Sequence, residues 1–384
     1  MKLGIVGGAL QGMEAAYLAR KAGYETLVVD RRTDAPALSL ADEAVVLDVT
    51  LERGRAAKVL EDCDAVLPAN ENYAALICLS DMFRELETPL LFDMRAYEIS
   101  SSKLHSNQLF ERMGVPVPSP WPNCGFPVVV KPSGQSGSVG VAKASGPEEL
   151  EMGIEAVRAL GEEPIVQEFV EGPNISIEVI GDGARAVPMV ITEVVLDAGY
   201  DCRMVRCPPE GLEPSVEAAF AGIARKIAEG MGLRGIMDVE AIVCGGVPKV
   251  LEIDARIPSQ TPAAVYHATG VNLLERLVGA LVHGRLEDAG PVRQGASVYE
   301  HIAADDGRMR SCGERGFAEV RSPRIAPGLF GADDAMTDHR PGARSWRGTL
   351  MFSGSTSELV REKRTRCIRE IARAEGLEGS EEVI

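Results

Sequence analysis

The stretch from Asp238 to Gln260, DVEAIVCGGVPKVLEIDARIPSQ, carries the densest chemistry in the chain. It reads as two short strands around a turn at Gly245 and Gly246. Side chains alternate faces along a strand, so Asp238 and Glu240 share a face, as do Glu252 and Asp254. A loop with an odd number of residues then sets Glu240 opposite Glu252 and Asp238 opposite Asp254, and short loops containing glycine are ordinary in hairpins. Four carboxylates this close repel one another unless a cation sits among them. Oxygen-only donors suit Mg²⁺ or Mn²⁺, and Mg²⁺ commonly links one or two carboxylates to substrate phosphates. Arg256 and the polar run Ser259-Gln260-Thr261 follow directly. The competing reading is a solvated acidic face, since exposed carboxylates are common.

Phosphate chemistry also needs cations and a cradle, and candidates for both lie upstream. In FPVVVKPSGQSGSVGVAKAS an apolar strand ends in Lys131, and a Gly/Ser loop from Ser133 to Gly140 leads into a second strand. The lysine precedes the glycines, so this is not a Walker loop. Backbone N–H groups and hydroxyls of such a loop can still fold over a triphosphate while a strand lysine neutralises charge, the solution protein kinases use. A flexible surface hairpin is the alternative. Further on, PIVQEFVEG reads as an extended segment whose backbone groups at Glu168 and Val170 could read an adenine edge. Ser176 and Glu178 share a face of the next strand, ISIEVIGD.

The elements that must position these groups begin with residues 1 to 95, where strands at LGIV, TLVVD, AVVLDV, DAVLPA and TPLLFD alternate with helical patterns. That order predicts a parallel sheet flanked by helices. Ligands bind such sheets at the carboxyl ends of the strands. Two of those ends carry polar groups, Leu10-Gln11 and Asn70-Glu71-Asn72. Glu71 could hold a substrate amine or simply stabilise a helix start. The first turn also invites a nicotinamide-dinucleotide reading, but Ala9 stands where the second glycine of the fingerprint is needed. Residues 96 to 120 read as a helix followed by the turn MGVPVPSP, which cannot continue it; the helix is expected to carry Lys103, whose ordinary reading is a surface lysine. The helix EPSVEAAFAGIARKIAEGMG leads into the acidic hairpin, and another near Val271 to His283 follows it. The last helix, TSELVREKRTRCIREIARAEG, reads as a solvated charged face.

Composition narrows the partners. The chain has 384 residues, enough for two or three domains. A net charge of −17 argues against nucleic acid or an anionic membrane as the main partner. No apolar run has the length of a membrane span, and the chain opens on a buried-looking strand, so no signal peptide is expected. Eight scattered cysteines without a C-x-x-C pair fit reduced, cytoplasmic thiols. Five isolated histidines make no zinc motif.

Taken in order, these pieces resemble the ATP-grasp superfamily of carboxylate–amine ligases, from residue 1 to about residue 290. The likeness rests on V-V-V-K-P at Val128 to Pro132, Q-E-F-V-E-G at Gln167 to Gly172 and L-E-I-D-A-R at Leu251 to Arg256. The resemblance implies an α/β chain with an α+β lid: a Rossmann-like domain over 1–95, a lid over 96–175, a catalytic part over 176–290, and a segment over 291–384 packing on it. It implies ATP held by Lys103, Lys131, Ser136, Gly137, Ser138, Glu168, Phe169 and Val170. It implies Mg²⁺ or Mn²⁺ on Asp238, Glu240, Glu252 and Asp254, with Lys131 and Arg256 acting on the reacting groups. Asp254 stands where many members have Asn, and Pro173-Asn174 replace a glutamate that commonly binds the ribose.

Longer strings are similar to one branch, the amino-acid-joining ligases of pyrrolysine biosynthesis. They are G-G-x-L-Q-G-x-E-A-A-Y-L at Gly7 to Leu18, N-E-N at Asn70 to Asn72, G-I-M-D-V-E-A-I, E-I-D-A-R-I-P-S-Q-T-P, Y-D-C-R-M-V at Tyr200 to Val205, and Y-E-H at Tyr299 to His301. That branch implies L-lysine bound near Leu10, Gln11 and Glu71. It implies 3-methyl-D-ornithine bound near Ser176, Glu178, Asp201, Met204 and Ser259, and a homodimer at the level of the family. Another ATP-grasp ligase, a non-catalytic binding protein and a dinucleotide-dependent dehydrogenase are the alternatives.

Overall fold

The computed structural model describes residues 1–288 and 295–376, so the domain boundary expected at residue 290 lies outside the described residues. Apolar runs alternate with amphipathic ones at the start and fold as β1 (Lys2–Val6), α1 (Leu10–Lys21), β2 (Glu25–Asp30), β3 (Glu43–Val46), α2 (Arg53–Glu61), β4 (Ala65–Pro68) and α3 (Tyr73–Met82). The strands form a parallel sheet in the order β3-β2-β1-β4. The strand expected at TPLLFD shrinks to one bridge between Val66 and Leu90, beside Pro89, which has no N–H to offer a ladder.

The first turn is closed to a dinucleotide. Gly8 N donates to Asp30 Oδ2 at 2.6 Å, and Ala37 N donates to Gly8 O at 2.9 Å. The acid that would hold a ribose and the amide that would face a pyrophosphate satisfy each other instead. Gly12 serves packing: a Cβ there would lie 2.0 Å from Gly7 O, so any other residue would push α1 off β1.

The single helix expected ahead of the MGVPVPSP turn is two, α4 (Met94–Ser100) and α5 (Lys103–Met113), the second ending where that turn begins. Ser102 caps the second, accepting from His105 N, and the break places Lys103 in its first turn. The lid follows as β5 (Val128–Pro132), β6 (Ala142–Ala144), α6 (Pro147–Ala159) and β7 (Pro164–Glu168). Its sheet runs β6-β5-β7, with the Gly/Ser loop joining β5 to β6.

The remainder is built on one large sheet. Its elements are β8 (Asn174–Asp182), β9 (Ala186–Leu196), β10 (Cys202–Cys207), α7 (Pro214–Met231), β11 (Arg234–Cys244), β12 (Val247–Asp254), α8 (Thr261–Thr269), α9 (Leu273–Leu281), β13 (Ala296–Asp305), β14 (Arg308–Ser311), α10 (Glu314–Phe317), β15 (Arg324–Ile325), β16 (Asp334–Thr337), β17 (Ser345–Gly354) and α11 (Ser357–Glu375). The strand order is β12-β11-β8-β9-β10-β13-β17-β16-β15, with β14 on β13. The C-terminal segment therefore does more than pack on the catalytic part: β13 pairs antiparallel with β10 and continues its sheet.

Alternation gives β8 and β11 two different faces. Ile177, Val179, Met237 and Val239 pack with Phe220, Ala224 and Ile227 of α7. On the other face Ile180 and Ile236 join Leu274 and Leu277 of α9, and the same core takes in Tyr17 and Leu18 of α1. Burial of that apolar surface docks the parallel sheet, turning the carboxyl ends of β1 and β4 toward the acidic hairpin. No helix among the described residues is long and apolar enough to cross a membrane.

Candidate active site

The hairpin register matches the expectation, Glu240 opposite Glu252 and Asp238 opposite Asp254. The cause is different. The connection is the two-residue turn Gly245–Gly246, with φ of 57° and 78°, the conformation a tight right-twisted hairpin requires. From that turn Ala241 pairs with Val250, and a regular ladder would set Glu240 against Leu251. The register shifts between Glu240 and Ala241 instead. Leu251 is the extra residue of a β-bulge, and it returns Glu252 and Asp254 to the face of Asp238 and Glu240. The bulge also frees a carbonyl: Leu251 O accepts from Lys131 Nζ at 3.3 Å.

Repulsion among the carboxylates is visible in their proton affinities. Burial and the neighbouring Glu178 push Asp238 up to about 8. Burial, Glu252 and Asp238 raise Glu240 well above the carboxylate range. Burial lifts Asp254 to about 6 against the pull of Arg256. Glu252 goes the other way: its burial is outweighed by Lys103, Lys131 and Arg256, and its pKa falls. Among the described residues no three His, Cys, Asp or Glu side chains converge as a metal cluster. The acids are drawn instead to protein cations, Glu252 to Lys103 Nζ at 2.7 Å and Asp254 to Arg256 at 2.8 Å.

On one side of the hairpin lies a cavity of about 160 Å³ under the lid, lined by Lys103, Lys131, Ser136, Ser138, Glu168, Phe169, Val170, Asn174, Glu240 and Glu252 among others. Val129, Val141, Leu196 and Ile242 give it apolar walls. The two lysines differ. Burial dominates at Lys131 and lowers it to about 8. At Lys103 burial is offset by Glu252, Asp254 and Glu240, and the pKa ends above the ordinary value. Glu168 turns its carboxylate away from the cavity, toward Lys249 Nζ at 2.7 Å and Ser119 N at 3.1 Å. Its own amide and that of Phe169 are spent on Ser119 O and Pro127 O. The N–H of Val170 makes no hydrogen bond within the described residues and is the donor left at the wall.

The Gly/Ser loop is shut. Gly137 and Ser138 both have positive φ, 61° and 57°. Ser136 Oγ donates to Glu71 Oε2 at 2.5 Å and Ser138 Oγ donates to Tyr200 O at 2.7 Å. Glu71 is thus a meeting point of three regions, since Gln11 Nε2 also donates to it at 2.8 Å and Arg256 forms an ion pair with it. Burial raises Glu71, but Arg256, Ser136 and Gln11 together hold its carboxyl below the usual range. Its side chain is not the helix cap weighed above; Asn72 caps α3.

Of the remaining expected residues, Ser176 donates to Asp238, and Glu178 is buried beside them with neither oxygen hydrogen-bonded, its carboxyl raised by burial to about 7. Others make their contacts outside the cluster of Glu71, Arg256 and the hairpin acids. Leu10 packs on the apolar core. Met204 lines a separate small cavity with Arg206, Ser297 and Arg364. Asp201 turns to the C-terminal segment, accepting from Arg315 N at 3.1 Å. Ser259 Oγ donates to Glu314 Oε1 at 2.5 Å.

Sequence reasoning missed Glu314, and also Thr192, which is buried opposite Ser176 on β9. It missed as well the support behind Ser259. Gln260 has φ 74° and ψ −58°, and Thr261 N donates to Ser259 O at 2.9 Å, a three-residue turn rare for a residue with a side chain. Gln260 Nε2 donates to His301 Nε2 at 2.7 Å, while His301 Nδ1 meets Thr349 Oγ1 at 2.7 Å and its ring stacks on Phe317. The Y-E-H string was the only sequence sign of that contact.

Comparison with known proteins agrees with this geometry. A family model described as an ATP-grasp domain matches residues 100–260. By fold, the biotin carboxylase domain of Hydrogenobacter thermophilus 2-oxoglutarate carboxylase, solved with MgADP and bicarbonate, superposes with a TM-score of 0.73 at 19% identity, covering 96% of this chain and 89% of that one. An N5-carboxyaminoimidazole ribonucleotide synthetase solved with ADP gives 0.72 at 16% identity, over 97% of both chains. By sequence, the 3-methyl-D-ornithine–L-lysine ligase of Methanosarcina acetivorans is 40% identical over 81% of this chain and 82% of its own length. That of Methanosarcina barkeri is 38% identical over 81% and 82%. With identity at this level over about four-fifths of both chains, this chain belongs to the 3-methyl-D-ornithine–L-lysine ligase family and has the ATP-grasp fold.

Proposed function

We propose that the protein uses ATP to phosphorylate the carboxylate of (3R)-3-methyl-D-ornithine and joins it to the ε-amine of L-lysine in pyrrolysine biosynthesis, releasing ADP and phosphate. The observation that carries this reading is the meeting of Lys103, Lys131, Arg256 and four carboxylates at the edge of one lidded cavity. Such chemistry needs positioned charge more than a protein nucleophile. The γ-phosphoryl moves to a carboxylate oxygen, and the amine then attacks the acyl carbon and expels phosphate.

ATP fits the apolar walls with its phosphates at Lys103 and Lys131, the N–H of Val170 reading the adenine edge and Ser136, Gly137 and Ser138 covering the chain of phosphates. At about 160 Å³ the cavity is well below the ~300–1,000 Å³ of typical ligand pockets, so Ser136 and Ser138 must release Glu71 and Tyr200 O for ATP to enter. The donor set fits Mg²⁺ or Mn²⁺: it is all oxygen, Asp254 Oδ1 has no partner, and burial with Glu252 and Asp238 beside it raises the Glu240 carboxyl well above its ordinary range. Glu240, Glu252 and Asp254 would hold the ion, with Asp238 beside them, and when bound it would neutralise phosphate charge. Arg256, already between Asp254 and Glu71, stands ready to turn one donor toward the acyl phosphate; its buried Nε makes no hydrogen bond. Gln11 and Glu71 are assigned to lysine and Ser176 and Glu178 to the ornithine.

The division of labour follows the sequence boundaries: 1–95 presents the amine, 96–175 covers ATP, and 176–290 holds metal and carboxylate. A cytoplasmic setting is supported by eight cysteines that are all free, and a homodimer by the dimeric state of the biotin carboxylase domain. Incubation with ATP, Mg²⁺, L-lysine and 3-methyl-D-ornithine tests the reading by product mass. The isopeptide with stoichiometric ADP supports it; ADP release without that product points to another amino-acid pair.

A further inference from the structure

The C-terminal segment reaches the site through one side chain that neither the motifs nor the proposed roles use. Glu314 opens α10, and its Oε1 accepts from Ser259 Oγ at 2.5 Å. Its second oxygen has no hydrogen-bond partner among the described residues, and the side chain is half-buried rather than sealed in the core. Arg256, Asp201 and Glu71 are the charged groups that act on it, which places it at the junction of hairpin and parallel sheet.

The surroundings hold this carboxylate in place. Asp201 Oδ2 accepts from Arg315 N at 3.1 Å and pairs with Arg315 Nε at 3.3 Å. A Cβ on Gly313 would lie 2.0 Å from that same oxygen, so the approach to α10 is as close as glycine permits. On the Ser259 side, the strained turn at Gln260 is locked by its side chain against His301. Two tethers from different strands therefore fix donor and acceptor of one hydrogen bond. A second buried acid sits near this junction with spare capacity: Glu14 takes one hydrogen bond from Tyr299, and its Oε2 has none.

A half-buried carboxylate beside Arg256 and Glu71, with its position fixed, one oxygen unpartnered and no protein cation in hydrogen-bond contact, suits an alkylammonium group, which offers three N–H donors. We propose that Glu314 is a specificity-determining residue that binds an ammonium group of one amino-acid substrate, with Gln260 and His301 as its positioning residues. This rests on the reading of the protein as an amino-acid ligase and adds the C-terminal segment to its substrate site. Both amino acids carry ammonium groups, so the chemistry is shared and kinetics must identify the owner.

The test is steady-state ADP release by the full chain, with each amino acid varied in turn, for wild type, Glu314→Gln, Glu314→Asp and His301→Gln. Glu314→Gln should raise the KM of one amino acid tenfold or more, while KM for ATP and for the other amino acid stay within about threefold. Glu314→Asp should recover part of that loss, and His301→Gln should raise the same KM. The identity of the affected amino acid names the bound substrate. Unchanged KM for both amino acids in Glu314→Gln, or an equal rise in all three constants, overturns the proposal. Failure of the ligase reading is separate: wild type would then give no isopeptide, and Glu314→Gln would be read on whichever amino acid drives wild-type ADP release.

Discussion

The phosphate side and the amino-acid side of the cleft are built in different ways. On the phosphate side each working part is a run of neighbours: a strand lysine followed by its loop, or a hairpin with acids two apart. On the amino-acid side the contacts are single residues from distant places. Glu71 is 60 positions from Gln11, 65 from Ser136 and 185 from Arg256, and Ser259 is 55 from Glu314. A parallel sheet, a lid loop, a hairpin and a C-terminal helix must all be docked before the second side exists. The difference suggests that nucleotide chemistry is a fixed module here, and that amine selection is set by how the modules are assembled.

Several substitutions can break that contrast. The largest effects belong to the phosphate side: Lys131→Ala and Glu252→Ala should each lower amino-acid-dependent ADP release by about 10³-fold or more, the scale on which a preorganised charge at a reacting group counts. Full activity in either variant refutes the mechanism. Inserting one alanine after Leu251 should be nearly as damaging. A second extra residue there would slip Glu252 and Asp254 by one position and turn them to the opposite face, so Mg²⁺-dependent activity should vanish, whereas Gly245→Ala should cost only about 1 kcal/mol of stability from its positive φ, read as a small fall in Tm.

On the amino-acid side, Glu71→Gln should leave the KM for ATP within about threefold and raise that for lysine by roughly tenfold to a hundredfold, the cost of removing one charged hydrogen-bonding partner. A change confined to ATP would reverse the assignment of the two sides. The lysines offer a milder probe. Lys131, lowered to about 8 by burial, is charged below that pH and neutral above it. The kcat/KM for ATP should therefore fall about tenfold per pH unit above 8, and Lys131→Arg, if active, should remove the fall.

The smallest effect concerns the support behind Ser259. An unfolded histidine takes up a proton near 6.5, whereas burial keeps His301 neutral down to about 3. The folded-state pKa is lowered, so the unfolded chain binds more protons below 6.5. Stability is full above that value and is lost as pH falls toward 3, at up to about 1.4 kcal/mol per pH unit. His301→Gln should flatten this acid slope in urea titrations between pH 7 and 5; an unchanged slope would mean that His301 does not set it.

How much the sequence showed follows from the same contrast. The lid, the hinge and the acidic hairpin were legible because strand alternation and glycine turns are local rules. Even there the register came out right for another reason: a bulge at Leu251, which alternation alone does not reveal, replaced the odd loop. The dinucleotide reading of the first turn, already weakened by Ala9, meets a second obstacle that no motif shows, the bond from Gly8 N to Asp30. Asp201 and Met204, singled out by resemblance, turn to α10 and to a separate cavity, contacts that no local pattern shows.

By itself, then, the sequence determined the order of strands and helices, the paired acids, the two lysines and the covering loop, because each depends on residues within one element of one another. Only the tertiary structure decided that Glu71 binds Arg256 and Ser136, that Glu314 meets Ser259, and that β13 continues the sheet from β10. Those contacts are set by the burial of α1 against α9 and by long-range strand pairing. Neither leaves a periodic mark at the polar residues it brings together.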